Sequence, residues 1–387
     1  MGRPRKILTI SHSYCVALNR RLAHEMARVG QGNWEVTAVA PSFFQGDLRP
    51  IALEDFPGEA SLLRSVPAHF SKRIHLMLYG RELQTILSER WDLVHCWEEP
   101  FIFAGGQVAR WLPKDTSLVF ATFQNIEKSY PPPFSWIENY AMRRASGWIA
   151  FGHTVEETLS RRPLYQKRAQ QTIPLGVDLS RFYPDREAGQ RVRELLGWSD
   201  DGPPVIGFMG RFVPAKGIEL LMKVLDGLEK PWRALFIGAG PLEKDLRNWA
   251  LRYPDRIKVV TDVKHDGVPA YLNAMDVMCA PSQTTAAWRE QLGRMLIEAF
   301  ACGVPVVASD SGEIPYVVGD AGVVVPEADE AAWMSVISEL LENPQRRADL
   351  ARRGLERVHT HFAWPVIARQ HLDFFENVLE NRSASKN

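Results

Sequence analysis

Four charged side chains in the second half of the chain have the types and spacing to hold a phosphorylated, hydroxyl-rich ligand. Glu290 and Glu298 are separated by seven residues in the run EQLGRMLIEAFACGVPVV. Carboxylates suit sugar and ribose hydroxyls, because a charged acceptor makes the shorter and stronger hydrogen bond. Between the two, Gly293 can open a helix, and the free N–H groups at a helix N-terminus attract phosphate. Arg211 and Lys216 lie upstream in GRFVPAKG, Gly210 to Gly217. A diphosphate carries about two negative charges, and a helix N-terminus contributes only about 0.3–2 kcal/mol toward holding them. An arginine fork and a mobile lysine supply what the helix lacks. Taken singly, Glu290 could be a solvated loop residue, Glu298 an exposed helix residue and the two cations ordinary surface charges. Their grouping with Gly293, Gly303, Pro305 and Gly312 favours a site.

The elements around them alternate strand and helix. Leu296, Ile297, Ala299, Phe300 and Ala301 give a helix its apolar body, and Gly303 with Pro305 stops it. Val304 to Ser309 reads as a buried parallel strand. Val205 to Met209 is the strand before the Arg211 loop, and Ile218, Leu221, Leu225 and Leu228 make the helix face after it. Strands are expected at Leu235–Ile237, Ile257–Val260 and Val277–Ala280, and helices at Glu330–Leu341, Gln345–Val358 and Trp364–Leu379. The first half opens β-α-β: Ile7–Ile10, a helix carrying Leu18, Leu22, Met26 and Val29 up to Gly30, then Val36–Ala40. Further strands are expected at Leu93–Trp97, Leu118–Phe123, Trp148–Phe151 and Thr172–Pro174, with loops around short strands through residues 43–73 and a loop at the triple proline 131–133. Ser383 to Asn387 reads as a disordered tail.

Composition narrows the function classes. A chain of 387 residues fits two domains, and 45% hydrophobic with 24% charged residues is ordinary for a globular protein. A formal net charge of zero disfavours a nucleic-acid partner. Residues 1–180 carry 21 Lys+Arg against 17 Asp+Glu and the remainder 25 against 29, which leaves room for a peripheral membrane contact through the N-terminal half. Four cysteines lie far apart with no C-x-x-C, which fits a reducing cytoplasm better than a disulfide framework or zinc site. No signal peptide is visible and no apolar run reaches the roughly 18 residues of a membrane span. The expected location is cytoplasmic, at or near the inner membrane face.

The Glu290–Val325 stretch resembles the signature of retaining GT-B glycosyltransferases of family 4, the glycosyl transferases group 1. That signature has two glutamates seven residues apart, a small-residue helix end, a PVV strand and a glycine loop; Leu292 departs from a frequent Phe. IPLGVDLSRFYP, Ile173 to Pro184, is similar to the family's boundary segment. The resemblance implies a GT-B α/β fold, two Rossmann-like doubly wound domains facing across a cleft. It implies an acceptor-binding domain at 1–180, a nucleotide-sugar-binding domain at 181–364 and a helix, 365–387, crossing back to the first. It implies retaining transfer of a sugar from a nucleotide-diphosphate donor, with UDP-sugar favoured over GDP-sugar, to a glycan, lipid-linked or small-molecule acceptor in polysaccharide or glycoconjugate synthesis. Arg211, Lys216 and Glu290 would be catalytic. Glu298 would hold the ribose, with Gly210, Gly293, Arg294, Val263, Gln124 and Tyr14 completing the donor surroundings. No D-x-D occurs, so no metal is expected and the cations and the helix at Gly293 would carry the leaving-group charge.

Two departures stand out. Ser11-His12-Ser13-Tyr14 replaces the family's glycine-rich loop, and Gln124 stands where a His is common, able to hydrogen-bond but not to act as acid or base. His12, His95 and His153 could each line a cleft or be hydrogen-bonded structural histidines. GAGPLE, Gly238 to Glu243, is two-thirds of a dinucleotide fingerprint with Asp262 about 20 residues on, and keeps a nicotinamide dehydrogenase open. A retaining sugar phosphorylase, with the same fold, and a non-catalytic partner subunit also stay open.

Overall fold

The computed structural model describes residues 3–46 and 50–384. Contacts divide the chain into two compact units, one running to Pro174 and including the segment from Trp364 onward, the other Leu175–Ala363. Each is built on a parallel sheet.

In the first unit the strands are β1 Arg5–Ile10, β2 Trp34–Pro41, β3 Leu62–Val66, β4 Leu93–Cys96, β5 Ser117–Thr122, β6 Gly147–Ala150 and β7 Ala169–Thr172. Their order across the sheet is β7-β6-β5-β4-β1-β2-β3. Ile7 is in register with Val36 on one side and Leu93 on the other. In the second unit β8 Val205–Met209, β9 Arg233–Ile237, β10 Ile257–Val260, β11 Val277–Ala280, β12 Val306–Ser309 and β13 Val323–Val325 run in the order β10-β9-β8-β11-β12-β13. Both units therefore step outward from their first strand, return to its other side and continue. This doubly wound order leaves a crevice at the carboxyl ends of the strands where the direction reverses.

Helices cover both faces of the second sheet, so its strands are apolar on both sides. Along β9, Leu235 and Ile237 join one core with Met278, Leu296 and Phe300. Ala234 and Phe236 join the opposite core with Trp232, Trp333 and Ile337. In the first unit Leu8, Ile10, Val94, Phe120 and Trp148 lie in one core. The helix Trp364–Ala384 packs on this unit, with Arg5 paired to Glu376 at 2.8 Å and Arg382 donating to Ser117 Oγ at 3.1 Å.

Several boundaries differ from the sequence expectation for local reasons. The helix expected from Leu18 starts at Arg21, after two 3-10 turns at His12–Cys15 and Ala17–Arg20. Ser11 caps the first of these through its hydroxyl, and the buried Arg20 guanidinium binds Tyr14 O at 2.6 Å and Glu59 at 2.9 Å. The strand expected from Val304 starts at Val306, because the preceding helix ends in a left-handed Gly303 with Val304 N donating back to Ala299 O at 2.9 Å. The expectation put short strands within residues 43–73 without bounds, where the structure has Leu62–Val66, and gave no helix at Phe103–Trp111 or Phe134–Arg144. Of the tail expected to be disordered, Ser383 and Ala384 finish the last helix and the rest lies outside the described residues.

Phe375 on that last helix is fully buried, its ring 5.1 Å from His95 of β4. Phe375→Ala should lower the stability of the first unit by about 3–5 kcal/mol, the cost of emptying a buried aromatic site. Urea unfolding followed by far-UV circular dichroism measures it.

Candidate functional site

The second unit's crevice opens between β8 and β11, the neighbouring strands at which its order reverses. The loop after β8 runs from Gly210 to Gly217 and is pressed against the loop after β11. Gly217 has φ +69°, and a Cβ there would lie 1.8 Å from Pro281 O. Gln283 N donates across the gap to Ala215 O at 2.8 Å. This close approach brings Lys216 onto Glu290, with Nζ 2.5 Å from Oε2. Ser282 donates its hydroxyl to the same oxygen at 3.2 Å. The Trp288 ring lies over the ammonium, 5.0 Å from Nζ to the ring centroid. The Glu290 backbone is fixed from the other side by the glycine turn after β12. Gly312 has φ +58°, a Cβ there would lie 2.1 Å from Glu290 O, and Glu313 N donates to that oxygen at 3.0 Å.

From this pair the chain enters the helix Arg294–Ala301 through Gly293, left-handed at φ +73°, with no side-chain cap on the helix. Its first-turn N–H groups thus have no side-chain acceptor, the condition under which an anion is welcome there. One turn on, Glu298 is buried at 7% exposure. Burial pushes its carboxyl up to about 7, against the pull of Arg294 and Arg181. Arg181 is held by His265 Nδ1 at 2.8 Å and Asp266 Oδ1 at 2.9 Å. No hydrogen bond reaches the Glu298 carboxylate among the described residues. It is a strong acceptor flanked by two cations and still to be satisfied.

The expected residues fall as follows. Lys216 and Glu290 are in contact; Gly210 shares the lysine's loop; Gly293, Arg294 and Glu298 share one helix. Arg211 is exposed on the lysine loop and takes no hydrogen bond or ion pair among the described residues. Val263 is half-buried after β10, packed against the core cluster that includes Leu296. The glycines of GAGPLE are spent on packing. A Cβ at Gly238 would lie 1.9 Å from Gly210 O, and one at Gly240 2.5 Å from Phe212 O. That accounts for the partial dinucleotide fingerprint without a dinucleotide. Ser282, Trp288, Arg181 and His265 join the picture only in three dimensions. Ser282 had one signal, its place just after the strand facing β8.

Tyr14 and Gln124 belong to the first unit. Tyr14 is fully buried with its hydroxyl 2.8 Å from Thr9 Oγ1, so it is a core residue rather than an open ligand contact. Gln124, just past β5, is buried at 8% exposure with neither amide atom hydrogen-bonded. His95 is a core histidine between Trp97, His371 and Phe375. His12 instead pairs with Glu98, Nδ1 to Oε2 at 2.8 Å. Burial lowers the His12 pKa, but the Glu98 charge and hydrogen bond outweigh it and leave it raised. His153 is exposed at the start of its helix. Among the described residues no three or more His, Cys, Asp or Glu side chains gather as a metal site.

Residues 198–357 match the model of the family described as glycosyl transferases group 1. Over 225 residues the chain is 35% identical to a GDP-mannose-dependent alpha-(1-6)-phosphatidylinositol monomannoside mannosyltransferase of Mycolicibacterium smegmatis, covering 56% of this chain and 58% of that protein. The chain spans between about half and three-fifths of the length of the curated relatives it matches. Among solved structures it is similar to a glycosyltransferase from Rickettsia africae, TM-score 0.75 at 14% identity, covering 98% of this chain and 100% of that one. It is also similar to an Anabaena protein solved with UDP and glucose, TM-score 0.68 at 18% identity, covering 96% and 100%. Likeness at this level shows the fold, which is GT-B with two Rossmann-like domains.

Glu298 makes a pH-dependent prediction. A carboxyl raised from 4.5 to about 7 takes up a proton on folding between those values. Its favourable contribution is complete below the lower value and is lost as pH rises through the upper one. Glu298→Gln should therefore be more stable than the parent near pH 8, by at most about 3 kcal/mol, with the gap closing toward pH 5. Thermal melts across that range test it; a gap that grows on acidification would contradict the burial argument.

Proposed function

We propose that this chain is a retaining glycosyltransferase of group 1 that moves a sugar from a nucleotide-diphosphate donor to a hydroxyl of a polyol or sugar acceptor. The observation that carries it is the second unit's grouping: Lys216 on Glu290 at the reversal point of the sheet, beside an uncapped helix that also bears the unsatisfied Glu298. Each part answers one part of such a donor. Lys216 meets the diphosphate and balances the charge that grows as the sugar leaves. The helix opened at Gly293 aims its N–H groups at the same phosphate. Glu290, released from the lysine by the incoming phosphates, accepts from sugar hydroxyls, and Glu298 accepts from the ribose. Arg211, exposed on the same loop, turns to the diphosphate only when it is present.

In the reaction the bond from the anomeric carbon to the diphosphate oxygen breaks and a bond to the acceptor oxygen forms on the same face. The acceptor proton passes to the leaving diphosphate. Catalysis rests on positioning and on stabilising the departing charge, without a required metal.

The donor we favour is GDP-mannose, which the name of the mycobacterial relative carries; the UDP preference expected from sequence finds no support among the curated relatives. Those names also favour a lipid-linked, inositol-containing acceptor, and so glycoconjugate rather than polysaccharide synthesis. The first unit, residues 1–180 in the sequence reading, would carry the acceptor, with Gln124 offering its unpartnered amide to a hydroxyl.

Two experiments test this. Pure protein incubated with GDP-mannose, UDP-glucose and UDP-N-acetylglucosamine should slowly hydrolyse GDP-mannose in preference to the others, and should do so with EDTA present. Lys216→Ala and Glu298→Ala should each cut that rate by more than about tenfold with the fold intact by circular dichroism; unchanged rates in both would remove the site.

A further inference from the structure

The second unit places one more group at its site, the half-buried Trp288, to which the chemistry above gives no part. Its loop, which follows β11, is tied down on two sides. Gln283 N donates to Ala215 O of the lysine loop at 2.8 Å. Thr284 Oγ1 lies 2.9 Å from Ser311 Oγ, in the turn after β12 that fixes the Glu290 backbone, and Thr284 N donates to Glu327. The tip then closes on itself. Thr285 N donates to Trp288 O at 2.8 Å, and Trp288 N donates to Thr285 Oγ1 at 3.0 Å. Thr284, Thr285, Ala286 and Ala287 are exposed, and Trp288 is drawn back from solvent. The two elements that bring Lys216 to Glu290 therefore also set the indole over the ammonium.

Lys216 Nζ thus has two partners of different kinds. Glu290 Oε2, at 2.5 Å, is a charge; the Trp288 ring, with its centroid 5.0 Å away, is a neutral face. A ring face attracts a cation through its quadrupole, and indole does so best. It carries no net charge, so it holds the ammonium without repelling a diphosphate, as a carboxylate would. The need is real, because a lysine stem is flexible and its ammonium loses much freedom when fixed. The ring also keeps water from one side of the ammonium, which leaves that charge less screened.

We propose that Trp288 is a positioning residue for sugar transfer, a role that rests on the donor chemistry proposed for this unit. It keeps the Lys216 ammonium in place for the diphosphate once Glu290 has turned to the sugar hydroxyls. Trp288 acts through the lysine and not on the donor.

The test is the rate at which the full chain hydrolyses labelled GDP-mannose, or UDP-glucose if the parent prefers it, in Trp288→Leu and Trp288→Phe. Leucine keeps apolar contact without a π face, and phenylalanine keeps a face. Trp288→Leu should lower kcat by about tenfold and change KM by less than about threefold, because the lysine's charge matters most as the diphosphate departs. Trp288→Phe should stay within about threefold of the parent. On a Lys216→Ala background, Trp288→Leu should lower the rate by less than about twofold further. An undiminished kcat in Trp288→Leu, or equal losses in the two variants, would overturn the proposal. So would a full loss on the Lys216→Ala background, which marks a ring that touches the donor itself. A parent that hydrolyses neither donor would instead remove the donor chemistry of the second unit and the role of Trp288 with it. The other outcomes need an active parent, so the two failures are told apart.

Discussion

The Lys216–Glu290 ion pair is the constraint around which the second unit's site is arranged. Its members are 74 residues apart in sequence and both are mostly buried, with side-chain exposures of 13% and 9%. A charge in such a place is tolerated only when paired and hydrogen-bonded. The pairing is secured by two glycine approaches rather than by the charges themselves. Gly217 lets the lysine loop lie against Pro281, and Gly312 lets the β12 turn lie against the Glu290 backbone. A side chain at either glycine would overlap a carbonyl oxygen, so the backbone fixes where the two charges meet. An ion pair so fixed is also a reserve of unspent charge. On the proposed function, a dianion reaching Lys216 would gain a cation already in place and free a carboxylate beside it for hydroxyl groups.

The sequence carried this site's chemistry further than its geometry. Glu290, Glu298, Lys216 and Gly293 were legible because glycine and charged residues punctuate apolar runs at fixed offsets. That Lys216 would touch Glu290 was not, since the contact depends on the register of β8 beside β11, where Ile206 lies opposite Val277. Trp288 was unreadable for the same reason, and Ser282 had only its place after β11 to mark it: both sit in a loop whose position is set by its neighbours. In the fold, strands buried on both faces were found almost residue by residue, because continuous β-branched and aromatic runs have few other uses. β3, Leu62–Val66, could be expected only as a short strand without bounds among loops, because its burial is uneven, as in an edge strand with a solvated face. The Phe134–Arg144 helix escaped because its outer stripe is aromatic, which breaks the apolar-in, polar-out pattern.

The partial dinucleotide fingerprint shows how one glycine pattern can serve two ends. G-x-G after a strand permits a backbone to approach something closely, and the sequence does not say what. At Gly238 and Gly240 the partner is the loop 210–212, with Phe212 N donating to Ala239 O at 2.9 Å and Leu242 N to Phe212 O at 3.0 Å. The glycines therefore brace the loop that carries Arg211 and Lys216.

The two units share a strand order yet differ at the same topological point, and hydrogen-bond accounting says why. After β1, His12 N donates to Glu98 at 2.6 Å, Ser13 N to Ser11 Oγ at 3.1 Å and Tyr14 N to Ser11 O at 3.3 Å. These successive donors, which a glycine loop would turn toward a phosphate, are consumed within the first unit. Glu98 also accepts from Tyr79 at 2.5 Å, so its carboxylate is enclosed between Tyr79 and His12. Among the described residues, the N–H groups of residues 12–14 are already bonded and His12 is already opposed by Glu98. In the second unit Gly293 opens a helix with no side-chain cap and Lys216 stands beside it. The hydrogen bonds near Ser11 thus replace the openings that a glycine pair would leave there, which agrees with the proposal that the phosphate is held by the second unit.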